Sequence, residues 1–188
     1  MAYDISSTAR SESFSRSLVP HNFRWAWDGL VAAVPCWESG GNIVDLVAGI
    51  SGTPTGTGVV SSGGELDFTV TSSYITFGIQ TSWWLLSSMT VAVVHQPTTT
   101  AMTGLFANSN SSGGGDSAYS LVYSVAADSK YQFWNDTELS GCATSTTFAP
   151  GSRNIVIGRR TGVRTASPVF DIFVNGLLLG TNGATAAI

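Results

Sequence analysis

Charge is scarce in this chain. Only 11% of its 188 residues are charged, against about 25% in an average domain. The 8 basic and 12 acidic residues leave a net charge of −4, which gives no global field to attract a phosphate backbone and argues against a nucleic-acid partner. Cysteine is equally sparse. Cys36 and Cys142 lie far apart and match neither a zinc spacing nor a redox pair, so they read as small buried hydrophobes. Long apolar runs are missing too: the stretches 30–36 and 89–94 are far short of the roughly 18 residues that a membrane span requires. Residues 1–20 carry Asp4, Glu12 and many serines where an export signal would need an apolar core. The expectation is a chain with neither a membrane segment nor a signal peptide.

What remains is 43% hydrophobic, enough to build a real core at this length, under a surface made mostly of Ser, Thr, Asn and Gly. Such a neutral coat suits secreted binding proteins. It equally suits shell proteins whose copies pack side by side, where like-charge repulsion is a handicap.

Residues 1–28 differ from the rest. They show no helical or strand period, yet Tyr3, Phe14, Phe23, Trp25 and Trp27 punctuate a Ser-rich background. Each exposed ring forgoes on the order of 1.5–3 kcal/mol of burial, so this irregular N-terminal arm is expected to dock on its own domain or on a neighbouring subunit. Phe14, Phe23, Trp25 and Trp27 are the candidate contacts.

From residue 29 to 188 the period is two. Met89, Val91, Val93 and His95 alternate with Thr90, Ala92, Val94 and Gln96, as half-buried strands should. Similar alternation marks Leu66-Phe68-Val70, Ile75-Phe77-Ile79, Leu121-Tyr123-Val125, Tyr131-Phe133, Ile155-Ile157 and Phe170-Ile172-Val174. Turn chemistry separates these runs at Ser62-Gly63-Gly64, residues 108–115, Ala149-Pro150-Gly151 and Asn175-Gly176, the last a strong tight-hairpin signal. At least eight strands and no convincing amphipathic helix predict an all-β, two-sheet antiparallel sandwich.

Several segments together resemble the concanavalin-like (LamG-like) jelly rolls. They are Gly29-Leu30-Val31-Ala32-Ala33 leading to Trp37-Glu38 and Asp45-Leu46, Gly64-Glu65-Leu66-Asp67-Phe68 with Tyr74-Ile75, Ser88-Met89-Thr90-Val91-Ala92-Val93, and Asp171-Ile172-Phe173-Val174-Asn175-Gly176. The resemblance covers roughly residues 29–180. It implies a jelly-roll sandwich that serves lectins, glycosidases, carbohydrate-binding modules and structural proteins of bacteriophage particles, and the fold alone does not choose among them. Such domains usually carry more chain after the Asn-Gly hairpin, so the sandwich is expected to be completed by the arm or by a neighbour.

The search for chemistry finds little. A glycosidase would need paired carboxylates about 5 Å apart, and the E-x-D-x-x-E pattern of the related glucanases does not occur. Glu65 and Asp67 share a strand face but read as a solvated strand start. His21 and His95 are the only histidines, and His95, ending an inward-facing strand, reads as a hydrogen-bonded core or rim residue. No cofactor is expected; Asp116 and the Asp136-x-Glu138 pair offer at most weak calcium binding. Trp83, Trp84 and Trp134, with Asn135 and Asp136, are the places where a sugar ring could stack. Arg153, Arg159, Arg160 and Arg164 concentrate positive charge in one hairpin region, which suits an acidic protein surface or an intersubunit ion pair.

These readings converge on a non-enzymatic protein. The leading expectation is a bacteriophage virion structural protein, a capsid decoration or particle-surface protein assembled in the host cytoplasm. Its partners are then capsid or other virion proteins and sister copies in a homo-oligomer. The alternative is a carbohydrate-binding, lectin-like domain that meets surface glycans.

Overall fold

The computed structural model describes residues 32–34, 43–62, 65–70, 73–78, 88–98, 103–108, 119–124, 129–135, 140–162 and 168–183. The described residues are all-β, with several antiparallel sheets and no helix. The arm, residues 1–28, lies outside them. The chain divides into two compact units, Met1–Gln80 and Thr81–Ile188, a division that falls within the span 29–188.

In the first unit, β1 (Ile43–Val44), β2 (Ser51–Thr55) and β5 (Tyr74–Thr76) form one antiparallel sheet in the order β1-β2-β5. A hairpin of β3 (Val59–Ser62) and β4 (Glu65–Phe68) stands apart from that sheet. Ser62 pairs with Glu65; the expected turn residues Gly63 and Gly64 between them lie outside the described residues. The turn between β1 and β2 is organised by Asp45, whose residue is fully buried. Its Oδ1 accepts from Ala33 N at 2.8 Å and Val47 N at 3.1 Å, and its Oδ2 accepts from Ala48 N at 3.3 Å. A buried carboxylate needs such donors, and here the backbone supplies them.

The second unit holds two four-stranded antiparallel sheets. One is the meander of β7 (Thr103–Asn108), β8 (Tyr119–Ser124), β9 (Lys130–Asn135) and β10 (Ser140–Ala143), in the order β10-β9-β8-β7. The other runs β13-β12-β11-β6, built from β6 (Met89–His95), β11 (Asn154–Thr161), β12 (Val169–Val174) and β13 (Leu177–Gly183). The chain thus leaves β6, makes the whole meander, and returns beside β6 as β11.

The two sheets share one core, giving this unit a sandwich-like character. Tyr131, Phe133 and Cys142 come from the meander; Met89, Val156, Phe170, Ile172 and Val174 come from the other sheet. The Phe133 ring meets Phe170 edge-on at 5.7 Å between centroids and lies against Gly158, where an added Cβ would sit 2.7 Å from the ring. Glycine is what lets β11 approach that ring so closely.

Most of the period-two pattern is realised. Phe170, Ile172 and Val174 are buried, Tyr131 and Phe133 are fully so, and Val94 and Thr90 point outward opposite Met89, Val91 and Val93. β11 keeps the period but turns the face opposite to the expected one inward. Its inward residues are Asn154, Val156, Gly158 and Arg160, whereas Ile155 is 52% exposed. The run Ile155-Val156-Ile157 is apolar on both faces, and the fit of Gly158 under Phe133 decides which face turns in.

Asn175-Gly176 makes the β12–β13 hairpin with φ of 52° and 83°. Positive φ at both central residues matches the right-handed twist of the flanking strands.

Candidate functional site

The outer face of the β13-β12-β11-β6 sheet carries the largest set of exposed apolar side chains whose place the strand register fixes. One cross-strand row reads Ala92, Ile157, Phe173, Leu178 from β6 to β13. Beside it, Val94 pairs with Ile155. Val94 is 64%, Ile155 52% and Leu178 52% exposed, while Ile157 and Phe173 are half-buried by their neighbours. A solvated sheet face is normally polar, and on this one these residues are apolar.

The next row on the same face is polar: Thr90, Arg159, Asp171, Thr181. Asp171 Oδ2 accepts from Arg159 Nε at 3.0 Å and from its terminal nitrogen at 2.7 Å, and Oδ1 accepts from the Thr181 hydroxyl at 2.7 Å. Burial pushes the Asp171 carboxyl up, but the Thr181 hydrogen bond and the adjacent Arg159 guanidinium outweigh it and hold the group below its ordinary value. The Arg159 guanidinium also lies over the Phe173 ring, 5.2 Å from its centroid, within cation–π range. One cation and one anion therefore cancel inside an apolar surface.

The four arginines do not form one patch. Arg153 is exposed and Arg159 is paired with Asp171, but Arg160 turns to the opposite face of β11 and is fully buried, so it contributes nothing to a surface. The reason is strand alternation: Arg159 and Arg160 are consecutive and must point to opposite sides. Arg164 lies outside the described residues, as do the arm contacts Phe14, Phe23, Trp25 and Trp27.

Of the stacking candidates, Trp83, Trp84 and Asp136 lie outside the described residues, and Asn135 is placed as the last residue of β9. Trp134 sits on the face opposite Phe133, between its register partners Ser120 and Gly141. It is half-buried, and its indole Nε1 is closed off from solvent with no hydrogen-bond partner. Glu65 and Asp67 are exposed on β4, and the calcium candidates Asp116 and Glu138 lie outside the described residues.

His95 belongs to a polar chain at one end of the core that the sequence does not announce as a set. Its Nδ1 is 3.2 Å from the Tyr131 hydroxyl, which also accepts from Asn154 Nδ2 at 3.2 Å. Asn175 Nδ2 donates to Asn154 Oδ1 at 3.0 Å, and Ile155 N donates to Asn175 Oδ1 at 2.9 Å. Tyr131 is fully buried and Asn154 nearly so. The chain ties both sheets to the β12–β13 hairpin. Cys142 is buried and free, its thiol pushed up to about 12 by burial and by the charge of Asp171, which makes it an inert core residue.

No family model matches this chain, and no curated protein or solved structure matches it either. The candidate site rests on its own geometry. Among the described residues, that geometry is an exposed, largely apolar sheet face with an internally neutralised ion pair.

Proposed function

We propose that this chain is a non-enzymatic structural protein that assembles through protein contacts, and that its setting is the surface of a bacteriophage particle, as a capsid decoration or similar subunit. The finer fold reading belongs with this proposal: a concanavalin-like jelly roll used as a building block. The observation that carries it is the row of Ala92, Ile157, Phe173 and Leu178 with Val94 and Ile155 beside it, left open on the outer sheet face. Contiguous exposed apolar patches larger than a few hundred Å² are uncommon on monomers and mark association surfaces. The low charge of the whole chain supports the same reading, because close-packed copies repel little.

The test is co-sedimentation of the full chain with particles. Wild type is expected to pellet with them. Ile155→Lys, at a position already 52% exposed, is expected to stay folded by circular dichroism and to lose at least about tenfold in bound amount, since a lysine there must be desolvated on docking. Undiminished binding of the folded variant removes this face from the proposal.

A further inference from the structure

The pattern of the outer face is self-complementary, and we infer that its occupant is a second copy of this chain, packed sheet face to sheet face about a two-fold axis running along the strands between β11 and β12. This inference rests on the protein-docking reading of that face and adds the identity of the partner.

The argument is one of symmetry and register. A two-fold axis in the plane of the interface and parallel to the strands keeps each cross-strand row in place and reverses its order. β12 of the partner then lies over β11, and β13 of the partner lies over β6. Within the apolar row, Ile157 meets the partner's Phe173 and Ala92 meets the partner's Leu178. Within the polar row, Arg159 meets the partner's Asp171 and Thr90 meets the partner's Thr181. Apolar groups face apolar groups, and each half-exposed Arg159 faces the place where the partner's Asp171 lies beneath its own Arg159 and Thr181. An in-plane axis running across the strands does the reverse. Centred on the polar row it sets Arg159 against the partner's Arg159, and centred on the apolar row it sets Arg159 against the partner's Ile155 and Thr90 against the partner's Val94. Like charges or unpaired charges buried this way cost several kcal/mol. The charge pattern therefore selects one arrangement, the isologous kind that closes on itself.

Size sets the strength. With strands about 4.8 Å apart and about 3.3 Å per residue, four strands of seven residues present a face of roughly 19 by 23 Å. Two such faces bury on the order of 900 Å² in flat projection, and more once side-chain relief is counted. That lies near the lower limit of about 1,000–1,200 Å² for specific interfaces. The dimer is thus of modest affinity in solution, around micromolar or weaker, and gains from the high local concentration of a particle surface.

The experiment is sedimentation equilibrium of the full chain over a concentration range reaching on the order of 1 mM. Wild type is expected to pass from 19.6 kDa to twice that mass. Ala92→Lys and Leu178→Glu, both at exposed positions, are each expected to weaken the dimer by about tenfold or more. The double variant is expected to regain it, because each new ammonium then meets the partner's new carboxylate; within one copy those positions lie three strands apart. Thermal unfolding of each variant reports whether the fold is intact. A wild type that stays at 19.6 kDa throughout, or a dimer unmoved by either single change, overturns the inference. A monomeric wild type whose particle binding is still abolished by Ile155→Lys overturns only the second copy and leaves the docking reading standing.

Discussion

Burial holds His95 neutral, with its pKa lowered to about 4 from an ordinary value near 6.5. Between those two values the unfolded chain binds a proton that the folded chain refuses, so stability falls as pH drops through that window. Asp171 adds a second acid-sensitive contribution of the other type. Its folded carboxyl lies below its ordinary value, so the Arg159 and Thr181 contacts contribute fully above the unfolded carboxylate range near 3.9 and are lost as pH falls through the lower folded value. Thermal midpoints followed by circular dichroism should be flat above about pH 6.5 and decline below it. His95→Gln should flatten the decline between about pH 6.5 and 4 and leave the steeper loss below it. Asp171→Asn should instead lower the plateau at neutral pH, by roughly 1–3 kcal/mol for the Arg159 and Thr181 donors left with a poorer acceptor. A His95→Gln profile that superimposes on wild type would exclude the histidine as the source.

At the scale of elements, the β12–β13 hairpin does more than reverse the chain. Asn175 accepts the left-handed conformation, and its side-chain amide receives Ile155 N and donates to Asn154. Asn175→Ala is expected to cost about 1–2 kcal/mol through left-handed strain and the lost hydrogen bonds to Ile155 N and Asn154. Hydrogen exchange at Ile155 should accelerate with it. Slow exchange there in the variant would show that the hairpin does not hold β11.

The Asn175-Gly176 hairpin was legible because a two-residue turn with positive φ has few solutions. β6, β9 and β12 were legible by their inward series Met89-Val91-Val93, Tyr131-Phe133 and Phe170-Ile172-Val174, each interrupted by a polar residue on the other face, Thr90, Gln132 and Asp171. β11 was not, because Ile155, Val156 and Ile157 are apolar on both faces and the choice depends on a distant ring, Phe133 over Gly158. The separation of Arg159 from Arg160 was hidden for a related reason. Clustering in sequence says nothing about face, and the buried Arg160 could be read only once the face of β11 was known. The Asp45 turn and the His95–Tyr131–Asn154–Asn175 chain stayed hidden because their members are scattered single polar residues that only tertiary pairing brings together. The outer docking face was hidden for the same reason, since its rows exist only across strands.

For the whole molecule, the unit Thr81–Ile188 is a two-sheet body with an apolar core and a second apolar surface on its outside. Burying one Val, Leu or Ile side chain is worth about 1.5–3 kcal/mol, so leaving Val94, Ile155 and Leu178 in water carries a standing cost unless another surface covers them. Hydroxyl-radical labelling of the full chain, compared between its dilute and its assembled state and read residue by residue, tests that account most directly. Assembly should protect Val94, Ile155 and Leu178 together while exposed Val47 and Tyr74 in the other unit label equally in both states. Equal labelling of Val94, Ile155 and Leu178 in the two states would contradict the claim that this face is where the protein docks.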